Sequence, residues 1–161
     1  MDAETVVAIC AVVIAVASLV VSVYEARAMR QHNRNSVRPI LQLHRGFPPG
    51  GRAGLRLINS GLGPAVVVGT TLTVDGEAIG SWNEPDVDSL RERLAVRPSA
   101  VTFNDREVVA NGYEQYLLSV TGYDPQSHAE LEDLINRRLT LEIRYESLYG
   151  GEGYRVVLLP S

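Results

Sequence analysis

The stretch "NSGLGPAVVVGTTLTVDG", Asn59 to Gly76, joins a glycine-rich loop to a long β-branched run that ends in Asp75-Gly76. β-Branched residues favour strands, and an Asp-Gly dipeptide favours the tight turn of a β-hairpin. The stretch therefore predicts a strand followed at once by an antiparallel neighbour. Its Gly-x-Gly also raises the question of a nucleotide site.

A dinucleotide fingerprint requires Gly or Ala at its sixth position and a helix directly after the loop. Here the sixth position is Val66, Pro64 removes a backbone donor, and a strand follows. No Gly-Lys-Ser/Thr occurs, which excludes a P-loop. We interpret the loop as a turn in which Gly61 and Gly63 supply unusual backbone angles, and we predict no cofactor.

Short apolar runs broken by Gly, Pro, Asn and Asp continue on both sides of this stretch. "GLRLIN" alternates before it, two further strands are expected around Asn111-Gly112, and "LTLEIRYESLYGGEGYRVVLL" has the pattern of a closing hairpin. Seven or eight short strands at this spacing predict a mainly β fold over residues 39–161. The expected architecture is an antiparallel, immunoglobulin-like (Ig-like) β-sandwich, with a partly closed barrel as the alternative that the sequence does not separate from it.

Two inserts interrupt the strand pattern and predict short surface helices. "EPDVDSLRERLA" has Pro85 near its start and apolar residues at helical spacing. "DPQSHAELEDLINRR" has Asp124 as the expected cap and Pro125 in the first turn.

Twenty residues without a charge, Thr5 to Tyr24, precede the β region. As a helix they extend about 30 Å, the thickness of the hydrocarbon core of a bilayer, so residues 1–24 are predicted to form a transmembrane anchor. A cleaved signal peptide is the main alternative, with "AVAS" as its exit, but the start "MDAE" is acidic and the apolar run continues past that site. A buried core helix fits less well, because the run is apolar on every face.

Residues 25–38 are polar and free of glycine, and they predict a basic juxtamembrane helix. Its four arginines, three or four residues apart, are expected on one face, against anionic headgroups. They are Arg27, Arg30, Arg34 and Arg38. The alternative is that they only set topology. Either way, basic residues after the span and acidic ones before it predict an outside N-terminus and a cytoplasmic domain in the cell membrane.

Three segments together resemble a broad group of uncharacterised bacterial single-pass membrane proteins. They are "RPILQL", "LRLINSGLGPAVVV" and "LEIRYESLYGGEGYRV". Members of that group carry one N-terminal membrane helix and a small β-sandwich with an Asn-x-Gly-x-Gly-Pro-Ala turn. The resemblance implies architecture and no particular activity.

Residue sets for catalysis or metal binding are sparse. His128 and Glu132 form one i, i+4 pair, which is too few ligands for a zinc site, and no Gly-x-Ser-x-Gly elbow occurs. We therefore predict no catalytic and no metal-binding residues. From residue 39 onward, 11 arginines face 16 acidic residues, and this net charge of −5 argues against nucleic acid as a partner.

Aromatic residues around the last hairpin suggest an interaction patch, since tyrosine and tryptophan are enriched at binding hot spots. The predicted patch consists of Tyr145, Tyr149, Tyr154 and Trp82. The first functional hypothesis is a non-enzymatic, membrane-anchored interaction or accessory-subunit protein with a protein partner. The second is a ligand-sensing or effector domain coupled to the membrane. Small residues along the span also permit a homo-oligomer through the helix.

Overall fold

The computed structural model describes residues 2–161, apart from the side chains of residues 31–35. The chain divides into two compact units, one ending at Ser36 and the other spanning Val37–Ser161.

The first unit is a single helix, α1, over Ala3–Ser36. Its part Ala3–Arg30 is long and apolar enough to cross a membrane, and no other helix among the described residues is. Ser18 and Ser22 donate their hydroxyls to the carbonyls of Ile14 and Ser18, at 2.8 and 2.9 Å. Both hydroxyls are therefore bonded within the helix, as an apolar surrounding requires. The helix ends before Arg38, because a residue that precedes proline avoids helical backbone angles.

The second unit is mainly β, with strands that pair antiparallel. Its elements are β1 (Leu41–Gly46), β2 (Ala53–Asn59), β3 (Ala65–Val74), β4 (Glu77–Gly80), α2 (Glu84–Arg91), β5 (Ser99–Ala100), β6 (Val108–Val109), β7 (Glu114–Val120), α3 (Ala129–Asp133), a π-helical turn (Leu134–Arg138), β8 (Leu139–Glu146) and β9 (Tyr154–Leu158).

The strands form two sheets, in the orders β1-β2-β7-β5 and β4-β3-β8-β9, with β6 on the free edge at the start of β3. The described residues thus contain nine strands where seven or eight were expected, because β5 and β6 are only two residues long. The two strands expected around Asn111-Gly112 exist but do not pair with each other. β6 pairs with β3 instead, through Ala65 and Val109.

The hairpins that the sequence predicted are present. Asp75 and Gly76 join β3 to β4 with φ values of 53° and 84°, the left-handed angles that a two-residue hairpin turn requires. β8 and β9 form the closing hairpin, with Tyr145 opposite Tyr154.

Alternate side chains of both sheets enter one hydrophobic core. In β8 the predicted alternation holds, with every second residue from Leu139 to Tyr145 buried. The largest wholly buried aliphatic side chains come from both sheets and both inserts: Leu55, Leu57, Leu72, Leu117, Leu118, Leu134, Ile135, Leu139, Leu141, Ile143 and Val87.

Both predicted inserts are helical, but the second begins later than expected. Asn83 caps α2 by accepting a hydrogen bond from the Asp86 backbone N–H at 2.9 Å. Asp124 does not cap α3. Its carboxylate accepts hydrogen bonds from the backbone N–H and the hydroxyl of Ser127, at 2.9 and 2.7 Å, and closes a separate turn, so the helix begins only at Ala129.

Hydrogen-bond donors from elsewhere in the unit bind carbonyl groups of the π-helical turn. Arg45, in β1, donates to the Ile135 carbonyl at 3.0 Å and also to the carbonyl of Leu159. Ser161 donates its backbone N–H to the Asn136 carbonyl at 2.7 Å. These bonds join the ends of β1 and β9 to the second insert.

The side chain of Asn59 is wholly buried and joins three segments of the chain. Its oxygen accepts from the backbone N–H groups of Ile40 and Gly61, at 3.2 and 3.0 Å. Its nitrogen donates to the carbonyls of Gly63, Val109 and Ala110, at 2.9, 3.1 and 3.1 Å. Buried backbone groups need such partners, so this one amide closes the β2–β3 loop against its neighbours.

The glycines of the loop are required by close packing and not, as predicted, by unusual angles. Neither has a positive φ. A Cβ on Gly61 would lie 2.3 Å from the Ile40 nitrogen, and one on Gly63 would lie 1.9 Å from the Val37 carbonyl oxygen. The segment 37–40 passes directly over the loop, and Leu62 and Ser60 donate backbone hydrogen bonds to it. The loop is thus a turn between two strands, as predicted.

Replacing Asn59 by alanine should destabilise the domain strongly, because five backbone groups lose a partner. We expect Asn59→Ala to lower the free energy of unfolding by about 2–4 kcal/mol, since each buried unpaired group costs about 1–3 kcal/mol and some regain water. Trp82, the only tryptophan, reports unfolding by its fluorescence during denaturant titration of the full chain in detergent micelles. Asn111→Ala removes one exposed hydrogen bond and serves as the control. Equal losses in the two variants would contradict the role of Asn59.

A second variant tests the close approach at the loop. Gly63→Ala should lower the melting temperature markedly, because overpacking against backbone costs about 1–3 kcal/mol or more. Gly46→Ala is the matched control, since a Cβ there meets nothing within 4 Å and the φ is not positive. Thermal melts of both variants, followed by circular dichroism, should separate them. A Gly63→Ala melt as high as that of Gly46→Ala would contradict the packing.

Candidate functional site

Trp82 lies in the interior and not on a surface patch. It is 0% exposed, and its indole Nε1 donates to the Val101 carbonyl at 2.7 Å. A large apolar ring with its one polar group bonded stabilises a core. The predicted surface role of Trp82 is corrected accordingly.

Tyr145 is also buried, and it packs against Tyr154 with ring centroids 5.6 Å apart. The Tyr145 hydroxyl oxygen accepts a hydrogen bond from the Leu41 backbone N–H at 3.3 Å. The Arg38 guanidinium lies 5.0 Å from the centroid of the half-buried Tyr154 ring. These two tyrosines therefore hold the start of the β unit, and of the predicted patch only Tyr149 is well exposed.

The four arginines of the predicted basic stripe do not share one helix. Arg27 and Arg30 are exposed on α1. Arg38 lies beyond the end of α1 and stacks on Tyr154. The side chain of Arg34 lies outside the described residues. Contact of these arginines with lipid headgroups stays a prediction.

One end of the β unit carries exposed apolar side chains on two neighbouring loops. Leu62, at the tip of the β2–β3 loop, is 71% exposed, and Leu148 and Tyr149, in the β8–β9 loop, are 67% and 51% exposed. The two loops lie together because Val66, just after the first, pairs with Glu146, just before the second. We call these three residues the apolar loop end.

Hydrogen bonds hold both loops in place. In the β2–β3 loop, the Leu62 carbonyl accepts from the Asn111 amide at 3.1 Å, and the Leu62 N–H donates to the Arg38 carbonyl at 3.1 Å. In the β8–β9 loop, the Glu152 carboxylate accepts from the hydroxyl and N–H of Ser147, at 2.6 and 3.1 Å. The apolar tips are therefore presented by fixed loops.

A second surface lies on the outer face of the first sheet. Arg56 and Tyr116 face each other across β2 and β7, and the guanidinium groups of Arg52 and Arg56 lie 4.7 and 5.9 Å from the centroid of the Tyr116 ring. The Tyr116 hydroxyl donates to the Arg52 carbonyl at 3.1 Å, and Arg56 forms an ion pair with Glu114. We call Arg52, Arg56 and Tyr116 the Tyr–Arg face.

The His128–Glu132 pair has other partners than a metal. The His128 ring Nδ1 lies 3.1 Å from the Asp124 nitrogen, and Glu132 accepts a hydrogen bond from the Tyr123 hydroxyl. That hydrogen bond, together with burial, raises the pKa of Tyr123 to about 12. Across the described residues, no group of three His, Cys, Asp or Glu side chains could hold a metal ion.

A cleft of about 190 Å³ lies beside the two helical inserts, between the β3–β4 hairpin, α2 and α3. Leu90 and Leu94 form part of its apolar wall, and Asp75 and Arg138 supply charge. These two form a bidentate ion pair at 2.9 and 2.6 Å, and the hydrogen bond from Arg138 lowers the pKa of Asp75. The cleft thus combines an apolar wall with charged side chains, of which Asp75 and Arg138 are paired with each other.

Sequence reasoning missed both surfaces for different reasons. Leu62 lies between Gly61 and Gly63, and a leucine between two glycines is a sequence sign of an apolar loop tip. Ordinary turns have the same pattern, so it did not identify the surface. The Tyr–Arg face depends on the register of β2 against β7, which includes a bulge between Leu55 and Arg56. No sequence pattern specifies that bulge.

Comparisons with protein-family models, with curated proteins and with solved structures found no match to this chain. The predicted resemblance to bacterial single-pass proteins thus has support only in its coarse form, one apolar N-terminal helix and a β-sheet domain.

Proposed function

We propose that this protein is a non-enzymatic, single-pass membrane protein that presents a cytoplasmic β domain to a protein partner. The observation that carries the proposal is α1, whose apolar part is long enough to cross a bilayer and which is followed directly by a unit with its own core. The continuous helix beyond Tyr24 favours an anchor over a cleaved signal, since the apolar run leads into a further helical segment.

The β unit is proposed to be an Ig-like sandwich. The order β1-β2-β7-β5 corresponds to strands A-B-E-D of that fold, and β4-β3-β8-β9 corresponds to C′-C-F-G. Such sandwiches commonly serve as interaction modules, although a fold alone does not specify a function.

The Tyr–Arg face is the proposed surface for the protein partner. Tyrosine and arginine dominate binding hot spots, and here their stacking and hydrogen bonds order the side chains before binding. The face adds positive charge to a domain of net charge −5, so a partner with acidic groups would complement it.

A ligand-sensing role is the second candidate, and the cleft beside the helical inserts favours it. A nucleotide and metabolite panel that raises the melting temperature of the full chain, with the rise abolished by Arg138→Ala, would support this role. A homo-oligomer through α1 stays a prediction.

Topology is tested by single cysteines at Ala3 and Ser161 in a Cys10→Ala background, treated with a membrane-impermeant thiol reagent in intact cells. Ala3→Cys should react and Ser161→Cys should not, because the arginines after the span keep the following domain inside. Both should react in permeabilised cells, which controls for access. Reaction at position 161 in intact cells would place the domain outside and contradict the proposal.

The partner surface is tested by Arg52→Ala and Tyr116→Ala. Each should reduce a partner crosslinked in native membranes by about tenfold, the loss expected when a hot-spot residue contributing about 1.4 kcal/mol or more is truncated. Arg155→Ala, an exposed arginine on β9 in the other sheet, is the matched control and should leave crosslinking unchanged. Quantitative mass spectrometry of the crosslinked products gives the ratio. An equal yield from all three variants would move the partner to another surface.

A further inference from the structure

We propose that the apolar loop end, Leu62, Leu148 and Tyr149, inserts into the headgroup region of the membrane that α1 crosses. This inference rests on the proposed membrane anchor but not on the protein partner. It assigns the loops a lipid ligand and so fixes which end of the β domain is turned toward the bilayer.

The segment that follows α1 in the chain lies at this end of the β unit. Val37 directly follows the last residue of α1, and residues 37–40 lie against the β2–β3 loop. Leu62 bonds to Arg38, and Arg38 also stacks on Tyr154 at the base of the second loop. The chain therefore enters the β domain at the end that carries the apolar tips.

The side chains suit the interface of a bilayer. Tyrosine is enriched at the level of the headgroups, and leucine gains free energy on leaving water. Two further exposed apolar residues, Ile40 and Val108, lie at the same end and enlarge the surface. An apolar surface gathered at one end of a domain marks an interaction site, whereas single scattered residues do not.

Several backbone N–H groups of the two loops already have hydrogen-bond partners within the domain. The N–H groups of Gly61, Leu62, Ser147, Tyr149 and Gly150 all donate within the domain. Backbone groups that are already bonded lose little when water is removed. Loops whose polar groups needed water would resist insertion.

The reach of the chain sets a condition. α1 continues for twelve residues past Tyr24, about 18 Å of helix, so the loop end reaches the headgroups only if this part inclines toward the membrane plane. Arg27 and Arg30 on that part favour the incline, because anionic headgroups attract them.

The experiment uses the full chain in a Cys10→Ala background, in vesicles that contain phosphatidylcholine, anionic phosphatidylglycerol and lipid spin-labelled at the headgroup. Leu62→Cys and Leu148→Cys are labelled singly with an environment-sensitive fluorophore. Ala78→Cys, on β4 at the far end of the ten-residue strand β3, is the control about 30 Å away. We expect blue-shifted emission at positions 62 and 148, with quenching by the spin label at least threefold stronger than at position 78.

A matched pair of substitutions tests whether the loops act together. With the fluorophore at position 62, Leu148→Asp should reduce quenching by half or more, because a carboxylate opposes insertion. Leu159→Asp changes a leucine that is equally exposed, at 63%, but lies beyond the opposite end of β9, and it should have no effect. Unchanged Trp82 emission verifies that both variants remain folded.

Two results would overturn the proposal. Quenching at positions 62 and 148 no stronger than at position 78 would place the loops in water. Blue-shifted emission without quenching would show that protein covers them, either a partner or a second copy of the chain. A fluorophore on native Cys10 with spin label deep in the bilayer tests the anchor separately: quenching there, with none at the loops, rejects the loop contact alone, and no quenching there rejects both.

Discussion

The buried amide of Asn59 joins three segments of the chain at one point. It bonds the start of β1, the β2–β3 loop and the carbonyls at β6, which belong to both sheets. A single side chain can do this because an amide offers donors and an acceptor at once. The positions of the β2–β3 loop and of residues 37–40 depend on it, since residues 37–40 lie against the loop that Asn59 closes.

Local patterns in the sequence were sufficient for the elements but not for all their pairings. Alternation in β8 and the Asp75-Gly76 turn depend on neighbouring residues, and both were predicted correctly. No partner was predicted for β6, because two residues carry too little pattern to distinguish the edge of β3 from β7. The glycines of the loop were expected to need special angles, whereas their lack of a side chain is what the crossing segment requires. A contact between segments more than twenty residues apart leaves no local signal.

The same limit applies to surfaces. Tyr145, Tyr149 and Tyr154 are close in sequence, yet one is buried, one is half-buried beneath an arginine, and one is exposed. Trp82 was included in the predicted patch because tryptophan is enriched at binding hot spots, but the core cluster encloses it. The sequence gives the number and positions of the aromatic residues. Their exposure depends on which distant segments pack over them.

Side-chain contacts at both ends of β1 and β9 also determine how the domain bears mechanical force. β1 and β9 both begin at the loop end and run side by side, tied by Arg38 over Tyr154 at one end and by Arg45 to Leu159 at the other. Tension between α1 and the last residue of the chain would pull these strands past each other lengthwise. The two side-chain contacts lie at opposite ends of the strand pair and are loaded together, so they determine how much tension the β unit bears before β1 and β9 separate.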